Sequence, residues 1–331
     1  MLFRRSPTHD MVTIGDSVLD SFLRIEEASL SCQVNRDACL LCLAFGEKIP
    51  LKSVIRIPGA GNASNVAIGT SRLGWKTAIV SILGQDALGH EIAHRWKEEK
   101  VETRYVSYDT ERPTNAHTVL HFQDERTILV YHQPRTYVLP VLKPTKWIYY
   151  TSLGKGHEHL EKDLIHWLTK NPETKLAFNP GTFQLQRGLK KLGAILERCE
   201  VLFVNKEEAQ RLLKTEEMDA KLLLNGLRRY GPKQVVITDG PKGSWVFDGT
   251  EVWFCAAFPG KAIERTGAGD SFAMGFIHGL EETSSISEAM RHGSAVSSQV
   301  ILHVGPHKGL PTRTELQRLL IKHRTRQAKR V

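Results

Sequence analysis

Residues 264–280 read ERTGAGDSFAMGFIHGL: Gly267 and Gly269 flank Ala268 and stand directly before a lone acid, Asp270, and an apolar run follows at helical spacing. Glycine lets the chain turn and keeps the backbone open, so consecutive N–H groups can face an anion at a helix start, where the helix dipole also favours negative charge. The stretch therefore predicts an anion hole built from Gly267, Ala268 and Gly269. Asp270, in the same first turn, admits two readings. It can complement the dipole, or it can act as a general base that takes the proton from an alcohol attacking a phosphate-sized anion. No G-x4-G-K-[ST] segment occurs in the chain, so the phosphate site is not a P-loop.

Upstream of this stretch, short β-branched runs alternate with helical patterns. MVTIG, KTAIVSIL, KWIYYTS, KLAFN, VLFVN and QVVITDG read as buried strands, and SNVAIGTSRLG, HEIAHRWKEEK, HLEKDLIHWLTK and KEEAQRLL as helices between them. That alternation predicts an α/β fold with a mostly parallel sheet covered on both faces. Two segments break the rhythm. Residues 20–57 are poorly periodic, and AHTVLHF, QDER, TILVYHQ reads as a hairpin with alternating polar and apolar residues. They are expected to form a small lid over the carboxyl ends of the core strands, where open α/β sheets bind ligands. GSWVFDGTEVWFCAAF predicts a further hairpin, and Ser271–Leu280, Ser287–Leu302 and Thr312 to about Arg326 predict helices.

The 331 residues are 41% hydrophobic and 24% charged, as in ordinary soluble domains, and no run is apolar and long enough for a bilayer span. The start, MLFRRSPTHDM, has charge but no apolar stretch after it, so it fails as a secretory signal and a cytoplasmic chain is expected. Five cysteines, an odd number, then argue for reduced thiols. Cys32, Cys39 and Cys42 cluster, and the reading favours buried small hydrophobes over a zinc site that lacks a fourth ligand nearby. The formal charge of +9 and the basic end, about 322–331, come without interleaved aromatics, so no nucleic-acid partner is expected.

Other candidates accompany the opening stretch. In IPGAGNASNVAIG, Gly59 and Gly61 open a helix but the third glycine of a dinucleotide fingerprint is missing. Asn62 and Asn65 offer amides suited to sugar hydroxyls, or one of them caps the helix. In VVITDGPKGSWVF, Thr238, Gly240 and Gly243 form either a plain hairpin turn or a ligand-facing one. His157, His159 and His166 read more simply as a histidine-rich helix and loop than as metal ligands. Asn179 in AFNPGT sits at a strand end.

Taken together, TGAGDSFAMGF, AGNASNVAIGTSRLG, ILGQDALG, NKEE and TDGPKG resemble the signatures of the ribokinase-like family of carbohydrate and nucleoside kinases, also called the phosphofructokinase B family. The resemblance spans nearly the whole chain. It implies a three-layer α/β/α sandwich of about nine strands with a β-sheet lid, for which residues 17–58 and 104–134 are the candidates. It also implies ATP and Mg2+, a small sugar or nucleoside as acceptor, and a homodimer formed through the lid. Residue by residue, it implies substrate binding by Asp16, Gly61, Asn62 and Asn65. Asn205 and Glu208 match the element near magnesium and the phosphates, and Thr238, Gly240 and Gly243 match the nucleotide-binding turn. Just before the signature, many members carry Asp-Thr as part of a monovalent-cation site, where this chain has Glu264 and Arg265. The cysteine-bearing lid segment is also longer than in simple sugar kinases.

Overall fold

The computed structural model describes residues 7–32, 39–123 and 125–331. In chain order the first half holds β1 (His9–Ile14), β2 (Val18–Ile25), β3 (Ser29–Cys32), β4 (Cys39–Cys42), β5 (Leu51–Ala60), α1 (Asn62–Arg72), β6 (Thr77–Gly84), α2 (Ala87–Glu98), β7 (Glu102–Asp109), β8 (Ala116–Phe122), β9 (Glu125–Tyr131) and β10 (Thr145–Tyr150). The second half holds α3 (Glu158–Lys170), β11 (Lys175–Phe178), α4 (Thr182–Arg187), α5 (Leu189–Glu197), β12 (Val201–Asn205), α6 (Lys206–Leu213), α7 (Ala220–Arg228), β13 (Gln234–Thr238), β14 (Ser244–Phe247), β15 (Val252–Cys255), α8 (Ala268–Thr283), α9 (Ile286–Val300), α10 (Arg313–Lys322) and β16 (Lys329–Arg330).

Ten strands form one sheet in the order β16-β15-β14-β13-β12-β11-β10-β1-β6-β7, parallel from β13 to β7 and antiparallel at the β14–β16 edge. Of the parallel strands, β6, β12 and β13 are largely Val, Ile and Leu because both faces are covered. On one face α1, α2, α8, α9 and α10 pack around Trp96, Met274 and Phe276; on the other, α3 to α7 pack around Leu164, Leu192 and Leu224. From β1 the chain steps outward to β6 and β7, then returns to β10 on the other side and steps away to β13. The β1/β10 boundary is thus the topological switch, and the crevice above it is where such sheets bind ligands.

A second, four-stranded sheet, β5-β2-β8-β9, and the hairpin β3-β4 make up the excursions. β8 and β9 form the expected antiparallel hairpin. Residues 104–109, read from sequence as lid, instead run in β7 at the edge of the large sheet, because Tyr105 and Val106 pair with β6 and pack on the core. Residues 33–38 and 124 of the lid reading lie outside the described residues. The sequence reading also had no place for α4, α5 and α7.

The expectation of reduced thiols is overturned at one pair: Cys32 and Cys39 face each other across the β3-β4 ladder and are disulfide-bonded, while Cys42 is free. Hairpin register brings the two sulfurs together, which sequence spacing alone does not reveal. Among the described residues no cluster is arranged to hold a metal ion. The basic end is pinned: Lys329 and Arg330 pair with Phe254 and Trp253 of β15, and the Arg330 guanidinium lies over the Trp253 ring. No helix among the described residues is long and apolar enough to cross a membrane.

Candidate active site

Asp270 is 5% exposed in the first turn of α8, and its two carboxylate oxygens are held separately. Asn62 Nδ2 donates to Oδ1 at 2.9 Å and Asn65 Nδ2 donates to Oδ2 at 2.8 Å. The capping alternative for these asparagines is thereby excluded, since α1 is capped by Gly61 without a side-chain bond. Gly61 has φ +101°, and a Cβ there would lie 2.8 Å from the Asp16 carbonyl, so only glycine lets α1 start this close to the end of β1. That close approach is what brings residues 62 and 65 to residue 270. Asn179 joins from β11's end, with Oδ1 3.5 Å from Asn62 Nδ2.

Burial pushes the Asp270 carboxyl up from the ordinary carboxylate range, and the two amide donors partly offset this. A base raised in this way is better matched to neutral pH than a free carboxylate. Sequence reasoning missed the residue behind it. His307 is buried, and its Nε2 lies 3.0 Å from Asn65 Oδ1. Because Asn65 spends its amino group on Asp270, the histidine must donate from Nε2, which fixes the direction of the Asn65 amide. Burial holds His307 neutral, with its pKa pushed down to about 3. The signal was present in GPHKGLP, but only tertiary packing puts this loop against α1.

At the anion-hole turn, Gly267 has φ +79°, and a Cβ there would collide with Pro306 at 2.5 Å. Ala268 N–H is used within the turn, donating to the Arg265 carbonyl at 3.2 Å, while no hydrogen bond among the described residues engages the N–H groups of Gly267 and Gly269. The open donors beside Asp270 are therefore those of the two glycines.

Asp16, 6% exposed just after β1, receives Tyr137 O–H at 2.7 Å and Gly154 N–H at 2.8 Å on Oδ2, with His132 Nε2 at 3.0 Å. Its Oδ1 is buried without a hydrogen-bond partner among the described residues. Nearby on the inner face of the small sheet, Asp20 is buried beside His117, with Nδ1 at 3.4 Å from Oδ1. Tyr137, His132 and His117 were not singled out in the sequence, where isolated histidines and tyrosines carry no pattern.

On the far side of the crevice, Asn205 and Glu208 form a capping box at the start of α6: Glu208 N–H donates to Asn205 Oδ1 at 2.8 Å and Asn205 N–H to Glu208 Oε2 at 2.9 Å. Burial pushes the Glu208 carboxyl up, and Asp270 adds to the rise. Thr238 ends β13, and the Gly240–Lys242 turn closes with Asp239 N–H on the Gly243 carbonyl at 2.9 Å. A Cβ on Gly243, at φ +104°, would lie 2.3 Å from the Cys255 carbonyl, so this turn requires glycine. Lys206 Nζ, 3.6 Å from Asp239 Oδ2, links the two turns. Of the weaker candidates, His157 is consumed by Gly154 O and Arg187, and His159 pairs with Asp163 on the surface.

Residues 32–313 match the pfkB family of carbohydrate kinases. The chain belongs to that family. This pfkB kinase is 28% identical over 292 residues to "Probable fructokinase-4" of Arabidopsis thaliana, covering 80% of the chain and 88% of the relative. It is 26% identical over 322 residues to a nucleoside kinase of Methanothermobacter thermautotrophicus, covering 92% and 94%. Among solved structures, Arabidopsis thaliana ribokinase complexed with ribose and ATP superposes with a TM-score of 0.76 at 21% identity, covering 94% and 98%. The expected three-layer ribokinase-like fold is thus borne out, and the pfkB kinase is an ATP-dependent phosphotransferase with an alcohol group as acceptor.

Proposed function

We propose that this kinase transfers the γ-phosphoryl group of ATP to a primary hydroxyl of a sugar, with Asp270 as general base. The observation that carries the acceptor class is Asp16 Oδ1, a buried carboxylate oxygen with an open valence just after β1 at the switch-point crevice. A hydroxyl-bearing ligand supplies the donor that such a buried oxygen requires. Asp16, Asn62 and the Gly61 turn orient the acceptor, and Asp270 takes the proton of the attacking hydroxyl. The N–H groups of Gly267 and Gly269 face the phosphoryl oxygens as charge develops. Thr238, Gly240 and Gly243 line the nucleotide end.

The donor set suits Mg2+. Glu208 is a buried carboxylate with a raised pKa close to a second one, and a cation relieves that repulsion. Glu208 and the Asn205 side would hold the ion indirectly, through water and phosphate, and when bound it neutralises phosphate charge.

A nucleoside acceptor is the second reading. His132, which touches Asp16, packs on Phe183 with ring centroids 6.5 Å apart, and this pair offers a wall for a base. Phe45 and Phe122 are poor supports for such a base: Phe45 is fully exposed, and Phe122 lines a cavity with Leu30 and Leu41 under the β3-β4 hairpin. A screen of sugars and nucleosides with ATP and Mg2+ tests the proposal. Turnover of nucleosides alone would replace the first reading with the second, and turnover of neither would refute both.

Homodimerisation through the lid is part of the same reading. It is supported by the open edge strand β9, where Leu129, Val130 and Tyr131 are more than half exposed. Sedimentation as a monomer at high concentration would overturn it.

A further inference from the structure

The family resemblance carries a monovalent-cation site in the segment before the anion hole, and the residues present do not fit one. We propose that in this kinase side chains of the lid take that place: His121 and Arg126 latch onto Glu264, and phosphoryl transfer needs no potassium. The inference rests on the kinase reading above and adds a positioning residue, Glu264, to it.

Glu264 has a side chain only 1% exposed, six residues before the base. Its Oε1 accepts from Arg265 N–H at 2.7 Å, Thr266 N–H at 2.9 Å and the Thr266 hydroxyl at 2.9 Å, and Arg126 Nε lies 3.4 Å away. Its Oε2 is 2.6 Å from His121 Nε2, without hydrogen-bond alignment. The partners gathered on this carboxylate are nitrogen and hydroxyl donors, whereas an alkali cation requires a ring of oxygen acceptors. The wider surroundings oppose a cation as well. A cavity of about 410 Å3 beside Glu264 is lined by Arg24, Arg126, Lys261 and Arg265 against Glu125 and Glu264. Among the described residues that line it, four basic side chains stand against two carboxylates, a lining that disfavours an added cation.

The latch joins the lid hairpin to the anion-hole turn. Cross-strand register pairs His121 of β8 with Arg126 of β9, so both side chains sit at the same level near the tip of the lid hairpin. Glu264, in turn, fixes the backbone of residues 265 and 266, and the Arg265 carbonyl accepts from Ala268 inside the anion-hole turn. Docking of the lid is therefore transmitted to the Gly267–Gly269 donors through one buried carboxylate.

The test compares initial rates with potassium chloride and with choline chloride at equal ionic strength, using the acceptor found in the screen. A parallel arm measures protection of the lid from limited proteolysis by ADP, Mg2+ and acceptor in the same two salts. The parent should show equal rates and equal protection in both salts. Arg126→Met should raise the acceptor KM more than it lowers kcat and lose protection, and Arg126→Lys should restore both. Potassium-stimulated transfer, or protection that requires potassium, overturns the latch while leaving the kinase reading standing. If no acceptor is turned over, the kinase reading fails and the proteolysis arm, run with ADP and Mg2+, still decides the latch: equal protection supports it and potassium-dependent protection overturns it.

Discussion

Asp270→Asn separates the chemistry from the architecture. The wild-type carboxylate accepts one amide donor on each oxygen, at 2.9 and 2.8 Å. An asparagine has the same shape but cannot take a proton at neutral pH, so turnover should fall by about 10²- to 10⁴-fold, the worth of a positioned general base. That is about 3–5 kcal/mol added to the barrier. Stability should respond far less, because two changes oppose each other. A buried charge with a raised pKa disappears, along with its repulsion of Glu208. Against this, the new amide must point its own N–H2 at one donor, and Asn65 cannot turn to accept it while His307 holds Asn65 Oδ1. An unpaired buried donor costs about 1–3 kcal/mol, comparable to the relief, so the net change should stay within about 2 kcal/mol. Coupled ATP turnover gives kcat, calorimetry gives ATP affinity, which should be unchanged, and thermal denaturation gives stability. Turnover within about tenfold of the parent in a folded variant would refute the assignment of Asp270 as base.

Gly269→Ala is the complementary test of the anion hole. A Cβ there meets nothing within 4 Å, and alanine in a helix is favoured over glycine by about 1 kcal/mol, so Tm should hold or rise while transfer falls. Parental activity in this variant would refute the reading that a side chain at 269 obstructs the anion hole. Tyr137→Phe deletes the 2.7 Å donor to Asp16 Oδ2 and should raise the acceptor KM with little change in ATP affinity, measured by steady-state kinetics. An unchanged KM would show that Asp16 does not depend on that bond. Acid should destabilise the fold. Burial pushes His307 down to about 3 and His292 to about 4 from an ordinary value of 6.5, so below that value the unfolded chain binds protons that the folded chain does not. Stability is therefore full above pH 6.5 and is lost as pH falls towards the folded values, by about 2 kcal/mol per histidine at about pH 5. His292→Leu should flatten the slope of denaturation midpoint against pH, and a slope equal to the parent's would count against this origin.

How much of this was legible beforehand differs by element. β1, β6 and β10 to β13 were readable because a strand buried on both faces must be continuously apolar, and α8 and α6 because their starts carry local chemistry. β7 was misassigned because ETRYVSYD is polar enough for an edge strand, and edge strands have only one covered side. α4, α5 and α7 were missed between short strands.

The sequence by itself determined the layer architecture, the helix start at Asp270 and the glycine turns at Gly61, Gly243 and Gly267, since periodicity and backbone freedom are local properties. Only the tertiary structure decided which groups meet. Asn62 and Asn65 reach across some two hundred residues to Asp270, His307 fixes the direction of Asn65, Cys32 finds Cys39 through hairpin register, and Glu264 finds His121 and Arg126 on the lid. Hydrogen bonds and ion pairs act over a few ångströms, and the folding of the sheet, not spacing along the chain, sets which atoms come that close.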